Sequence, residues 1–228
     1  MQHTVGKMTT AVAVALCSAA AGAATLQDLI DNNGTIVVGN KTFSDFGYST
    51  ACGPPAGSIN VTGFTWGPFL EGIQIVGPLI TAPGGVCDVG IQYKVTATGP
   101  ELIKDIGASF VLSATGNGGT VAIGESVWDA GFGTGNLIGQ STVSIGDFVD
   151  PPGEPIQGDV LNWHLTYGPR SVIWVQKDIG LVAADATSMV GATTINQQFS
   201  QIPEPEHTAL AVLGACALGG LIIRRRRS

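Results

Sequence analysis

Few residues of this 228-residue chain could carry out chemistry. Between positions 24 and 202 there is one histidine, His164, so a Ser-His-Asp hydrolase would have to use it, with Ser109, Ser141 or Ser171 among many serines as nucleophile. No serine stands in the Gly-x-Ser-x-Gly turn that presents a hydrolase nucleophile. His164 also falls on the polar side of an alternating segment, where a solvated side chain is the expectation. A glycosidase needs two carboxylates held about 5 to 9 Å apart, and the acidic residues of this stretch single out no pair. The chain is therefore read as non-enzymatic.

Binding chemistry is better represented. Gly131-Phe132-Gly133-Thr134-Gly135 lacks the Lys-Ser/Thr ending and the spacing of a nucleotide loop, and reads as a hairpin tip. Asp147, Asp150, Glu154 and Asp159 surround Pro151-Pro152-Gly153. Calcium is the one ion their oxygens would suit, although no known loop spacing matches; otherwise no metal and no cofactor is expected. Trp66, Trp128, Trp163 and Trp174 could stack on sugar rings where a ring face is exposed. Trp163 alternates with Leu161 and Leu165, as a core residue does. Trp128, beside Asp129 and ahead of the glycine-rich tip, is the candidate for glycan stacking.

The elements that must position these residues are strands. The chain is 44% hydrophobic and 12% charged with 33 glycines, too apolar for disorder and too often interrupted for long helices. Thr25 and Asp28 open a short helix on the pattern of a capping box, with Leu26, Leu29 and Ile30 on one face and Gly34 as the stop. After it the period becomes two. Segments 35–38, 59–66, 71–76, 89–97, 107–114, 120–127, 137–145, 159–167, 171–177 and 193–200 read as strands, separated by Gly- and Pro-containing turns. Val89, Ile91, Tyr93, Val95 and Ala97 alternate with Gln92, Lys94 and Thr96, the signature of an antiparallel sheet covered on one side. The fold class predicted is all-β: one antiparallel β-sandwich or jelly-roll-like domain over 24–202, with the short N-terminal helix and, beyond the domain, a C-terminal transmembrane helix.

Both ends carry signals. Residues 1–23 combine Lys7, an apolar run from Ala11 to Leu16 and small residues up to Ala23, which describes a secretory signal peptide cut by signal peptidase between Ala23 and Ala24. Cys17 and Cys216 lie in the apolar termini, so Cys52 and Cys87 are the pair of the exported body, expected to form a disulfide in an oxidising compartment. At the other end, 208–223 is an uncharged apolar run closed by Arg224, Arg225, Arg226 and Arg227. At about 1.5 Å per residue it reaches roughly 24 Å, a short span for a ~30 Å hydrocarbon layer. Four terminal arginines oppose burial in a core and set the cytoplasmic side, leaving everything upstream outside the inner membrane. The body itself has five basic side chains, Lys41, Lys94, Lys104, Arg170 and Lys177, against fifteen acidic ones. That excess speaks against nucleic acid as a partner.

Pro203-Glu204-Pro205, then the apolar helix, then the arginine cluster resembles the PEP-CTERM sorting signal of Gram-negative bacteria that produce extracellular polysaccharide. All three parts occur in the order of that family, over residues 203–228. The resemblance implies an exosortase as a membrane-embedded processing partner and release from an inner-membrane precursor to the cell envelope or extracellular matrix. The opening of the body, Leu26-Gln27-Asp28-Leu29-Ile30 followed by Gly34-Thr35-Ile36 and Phe43-Ser44-Asp45-Phe46, is similar to the start of many such proteins. The function implied is that of an exported, non-enzymatic envelope or matrix protein associated with exopolysaccharide. The alternatives are a carbohydrate-binding module that recognises exopolysaccharide through stacking, and a secreted hydrolase.

Overall fold

The computed structural model describes residues 22–65, 70–148, 156–164 and 168–203, with the backbone alone for Val143, 145–148, 156–164 and 201–203. The signal peptide up to residue 21, Trp66, Asp150, Glu154, Glu204, Pro205, the apolar run 208–223 and Arg224 to Arg227 lie outside the described residues. Among the described residues no helix is long and apolar enough to cross a membrane.

A two-residue strand β1 (Ala24–Thr25) leads directly into helix α1 (Leu26–Asp31). Thr25 caps the helix: its hydroxyl accepts from the Asp28 backbone N–H at 3.1 Å and donates to the Asp28 carboxylate at 2.6 Å. Leu26 and Leu29 turn into the core, and the Gly34 N–H closes the end on the Leu29 carbonyl at 2.8 Å. The remaining strands are β2 (Ile36–Val38), β3 (Lys41–Thr50), β4 (Asn60–Thr65), β5 (Leu70–Ile80), β6 (Val86–Ala97), β7 (Glu101–Thr115), β8 (Gly119–Trp128), β9 (Leu137–Phe148), β10 (Ile156–His164), β11 (Val172–Ala183) and β12 (Met189–Pro203).

These strands form two six-stranded antiparallel sheets, one in the order β1-β4-β5-β12-β7-β10 (sheet A), the other β2-β3-β6-β11-β8-β9 (sheet B). The protein is an all-β sandwich. Ile36, Phe43, Val89, Ile91, Tyr93, Val95, Ile123, Val175 and Ile179 of sheet B pack with Val61, Ile73, Ile75, Ile106, Phe110, Leu112, Ile195 and Phe199 of sheet A in one core. The Phe43 ring lies 5.6 Å from that of Phe199 and 6.2 Å from that of Tyr93, centroid to centroid. Alternation does not predict β3, because its pairing with β6 shifts between Ser44 and Gly47, where Asp45 takes φ +53° and turns the strand.

Among the described residues the same core encloses two ion pairs. Lys41 of sheet B reaches Glu71 of sheet A at 3.0 Å, and both side chains are buried. Burial pushes the Lys41 ammonium below its ordinary range, offset in part by Glu71. Glu71 also accepts the Asn40 N–H at 3.3 Å, in a turn where Gly39 has φ +55° and where a Cβ would collide with the Glu71 carboxylate. The second pair, Lys177 and Glu125, joins neighbouring strands β11 and β8 in the middle of sheet B.

Cys52, just past β3, is bonded to Cys87 near the start of β6, with the Cα atoms 5.4 Å apart. The bridge joins residues 35 positions apart and holds the loop after β3 to the start of β6, where the Thr50 hydroxyl donates to the Asp88 carbonyl at 2.9 Å. A thiol assay on the intact protein should find neither cysteine free. Replacing both by Ser should lower unfolding stability by about 3 to 4 kcal/mol, the loop-closure value for this length, read as a shift of the urea midpoint.

Candidate functional site

Strict alternation along β6, β11 and β8 sends every second side chain away from the core, and hydrogen-bond register sets these outward residues in rows across sheet B. At one end Lys94, Trp174 and Trp128 stand side by side, in cross-strand register on β6, β11 and β8. The Lys94 ammonium lies 5.9 Å from the centroid of the Trp174 ring and 3.2 Å from the Asp45 carboxylate. Both tryptophans are half-buried, and the Trp128 indole N–H has no hydrogen-bond partner among the described residues.

The next row is one of amides and hydroxyls: Gln92, Gln176, Ser126 and Gln140. After it come Gly90, Asp178, Gly124 and Thr142, then Asp88, Gly180, Ala122 and Ser144. Glycine and alanine keep the floor low on either side of β11, and a cleft of about 90 Å³ opens among Tyr48, Ser49, Gly90, Gln92 and Gln176. A Cβ at Gly90 would stand 2.4 Å from the Ser49 hydroxyl, which bounds that cleft. From Trp174 to Gly180 the face runs six residues along β11, about 20 Å at ~3.3 Å per residue.

Trp128 is placed by the hairpin that follows it. Asp129 accepts the Asn136 backbone N–H at 2.7 Å and the Asn136 side-chain amide at 2.9 Å, and these bonds hold its carboxyl below the usual carboxylate range. The Gly131–Gly135 segment is the tip of this hairpin, with the Thr134 N–H and hydroxyl both bonded to the Gly131 carbonyl at 2.9 and 2.7 Å.

Sequence reasoning singles out Trp128 and passes over Trp174, which completes the aromatic pair. The signal was available: Trp174 shares the parity of Gln176 and Asp178, opposite to that of the buried Ile173 and Val175. It likewise singles out no carboxylate pair, whereas the structure sets Asp88 and Asp178 on adjoining outward rows of β6 and β11, close enough to influence one another. Burial, then the Asp88 hydrogen bond and charge, push the Asp178 carboxyl upward.

The other residues considered for chemistry are scattered. His164 ends β10 in register with Asp105, and Trp163 in register with Ile106. Ser109 lies on β7 four positions from Asp105, about 13 Å along the strand, and accepts from the Asn196 amide at 3.2 Å. Ser141 pairs across β9 and β8 with Glu125, in the other sheet. Ser171 precedes β11, where its carbonyl accepts the Ala97 N–H at 2.8 Å. Of the acidic loop proposed for calcium, Asp147 and Asp159 are described by backbone alone and the rest lies outside the described residues. Among the described residues no cluster of three potential metal ligands occurs.

No protein-family description and no curated protein matches this chain. Among solved structures, a family 61 carbohydrate-binding module in complex with beta-1,4-galactotriose is similar at 8% identity and a TM-score of 0.33, over 70% of this chain and 89% of that one. The enzymatically active domain of tailspike protein 4 of bacteriophage CBA120 is similar at 12% identity and a TM-score of 0.31, over 69% of this chain and 19% of that one. A xylan-binding domain from Paenibacillus barcinonensis is similar at 12% identity and a TM-score of 0.27, over 68% of this chain and 86% of that one. Overlaps this loose assign no function.

Because the raised Asp178 carboxyl binds its proton more tightly in the folded than in the unfolded chain, it lowers stability as pH rises from the ordinary aspartate range through the raised value. Asp178→Asn should remove that decline. The wild-type urea midpoint, measured relative to that of the variant, should therefore fall as pH rises from the acid range to neutral.

Proposed function

We propose that the β-sandwich is an exported, non-enzymatic polysaccharide-binding protein whose binding surface is the outer face of sheet B. The observation that carries this reading is the Trp174–Trp128 pair, set side by side across β11 and β8 on a solvent-facing sheet. The axial C–H groups of a pyranose present an apolar surface that suits an indole face, while its hydroxyls need donors and acceptors at the side. Gln92, Gln176, Ser126 and Gln140 supply these in the adjoining row. An open face about 20 Å long fits a glycan chain better than a single small molecule, which would want a closed pocket.

The same proposal assigns the chain's placement to its two ends. Cleavage between Ala23 and Ala24 would leave β1 intact, since Ala24 already pairs with Val61 of β4. β12 ends at Pro203, the first residue of Pro203-Glu204-Pro205, so the motif at which an exosortase would act begins where the last strand stops. Anchoring through 208–223 and Arg224 to Arg227, followed by processing and release to the envelope or matrix, would bring the sheet B face to extracellular polysaccharide.

Trp174→Ala and Trp128→Ala should each weaken binding to an immobilised exopolysaccharide by about tenfold or more, the scale of a buried aromatic anchor, with urea midpoints close to wild type. Equal retention of both variants and wild type on a glycan affinity gel would remove the binding surface from sheet B. For placement, deleting 208–228 should yield a soluble periplasmic product, and replacing Pro203-Glu204-Pro205 should leave the precursor uncut. Mass spectrometry of protein from cells and medium reads both termini; unchanged processing in the two variants would contradict the sorting role.

A further inference from the structure

We propose that Lys177 and Gln197 join in a self-generated amide cross-link between the two sheets, with Glu125 as the proton-transferring base. Lys177 on β11 and Glu125 on β8 belong to sheet B, and Gln197 on β12 to sheet A. All three side chains are enclosed by the sandwich: Lys177 and Gln197 are 0% exposed and Glu125 3%.

Their hydrogen bonds put an amine and a carboxamide on one carboxylate. Glu125 Oε2 accepts from the Lys177 ammonium, and Glu125 Oε1 accepts from Gln197 Nε2 at 3.2 Å. Two buried polar atoms have no partner among the described residues: Gln197 Oε1, an acceptor, and the hydroxyl of the fully buried Tyr93, a donor that feels the charge of Glu125. Buried groups left without partners are rare and costly in folded proteins. The Lys41–Glu71 pair differs at this point, because its carboxylate holds the backbone N–H of Asn40 instead of a carboxamide nitrogen.

The chemistry balances without any co-reactant. Lys177 passes a proton to Glu125 Oε2, which frees the Nζ lone pair, and transferring that proton also relieves the desolvation cost of a buried ion pair. Nζ attacks Cδ of Gln197, forming the Nζ–Cδ bond and placing negative charge on Oε1. The Tyr93 hydroxyl, otherwise without a partner among the described residues, would donate to that charge. Glu125 takes a proton from the attacking nitrogen and delivers one to Nε2, the Cδ–Nε2 bond breaks, and ammonia leaves. An ammonium and a primary amide thus become a secondary amide and an ammonium ion, with no change of oxidation state. An ionised carboxylate is a poor electrophile, so Glu125 acts as base and the carboxamide carbon accepts the amine. Holding the reactants together in a water-excluding core supplies the effective concentration such a step needs.

Fold and cross-link are readable separately from the glycan reading. The full-length protein, folded and then denatured and reduced, is cleaved before its aspartates, which separates segment 159–177 from the segment starting at Asp185. The expected product is one branched peptide containing both segments, lighter than their sum by one ammonia. In Glu125→Gln, which keeps the shape but cannot take the proton, the two peptides should appear apart and at full mass. Separate peptides from the wild type overturn the proposal, and so does a link from Lys177 to Glu125 with loss of water. A Glu125→Gln protein that cross-links as fully as wild type overturns the role of Glu125. The wild-type digest decides the central point even where the variant does not fold.

Discussion

Each of the two sheets has one face that water cannot be allowed to wet, and neither sheet is stable until the other covers it. Apolar side chains fill most of the alternate, inward positions of β6, β7, β8, β11 and β12, so each strand contributes an apolar row, interrupted at Glu125, Lys177 and Gln197. At about 25 cal/mol per Å² of apolar surface removed from water, burial of these rows is the dominant favourable term in the fold. Pairing within each sheet is distant in sequence as well: β12 lies between β5 and β7, and β11 between β6 and β8. Among the described strands, β2–β3, β4–β5 and β8–β9 are hairpins within one sheet; elsewhere consecutive strands change sheet. The sandwich therefore forms as a unit, because central strands gain their neighbours only when the chain has folded back across the core.

Charge inside that core demands a separate explanation. A buried ion pair rarely adds net stability over apolar residues of the same volume, but removing one partner costs about 3 to 5 kcal/mol because the other is left stranded. Lys41–Glu71 links the first hairpin of sheet B to β5 of sheet A, and Glu71 also fixes the tight turn at Gly39 and Asn40. Lys177–Glu125–Gln197 does the equivalent at the centre of the sandwich. These groups specify how the sheets sit on one another. An apolar core tolerates sliding by a residue pair, whereas a displaced ammonium would leave its counter-charge behind in a medium where that loss is severe.

The sequence makes the class of this fold legible and leaves the arrangement hidden. Val89 to Ala97 shows its buried side by parity alone, and the structure buries Val89, Ile91, Tyr93, Val95 and Ala97. The Cys52–Cys87 bond follows from their being the two cysteines outside the apolar termini. Strand β3 escapes because the bulge at Asp45 shifts its alternation midway, and a period-two template reads a shifted strand as irregular. Lys41 and Lys177 are misleading for a related reason: a charged residue at a core position looks like a break in the pattern until its partner, 30 or 52 residues away, is known. The candidate site has the same limit. Trp128 and Trp174 stand far apart in the chain, and nothing local shows that β8 and β11 are neighbours or that their registers place the two indoles together.

Strand β11 shows how one constraint serves two surfaces. It has neighbours on both sides in sheet B, and its parity is fixed by Ile173, Val175, Ile179 and Leu181 pointing inward. That fixes Trp174, Gln176 and Asp178 outward, in line with Lys94, Gln92 and Gly90 on one side and Trp128, Ser126 and Gly124 on the other. It also fixes Lys177 inward, against Glu125. A slip of one residue would exchange the faces, placing Gln176 and Asp178 in the core and exposing Val175 and Lys177. The buried Lys177–Glu125 contact opposes such a slip more sharply than the apolar residues do, because it can be made at one register alone. The internal charge that looks out of place in the core is thus what holds the outward tryptophans in line.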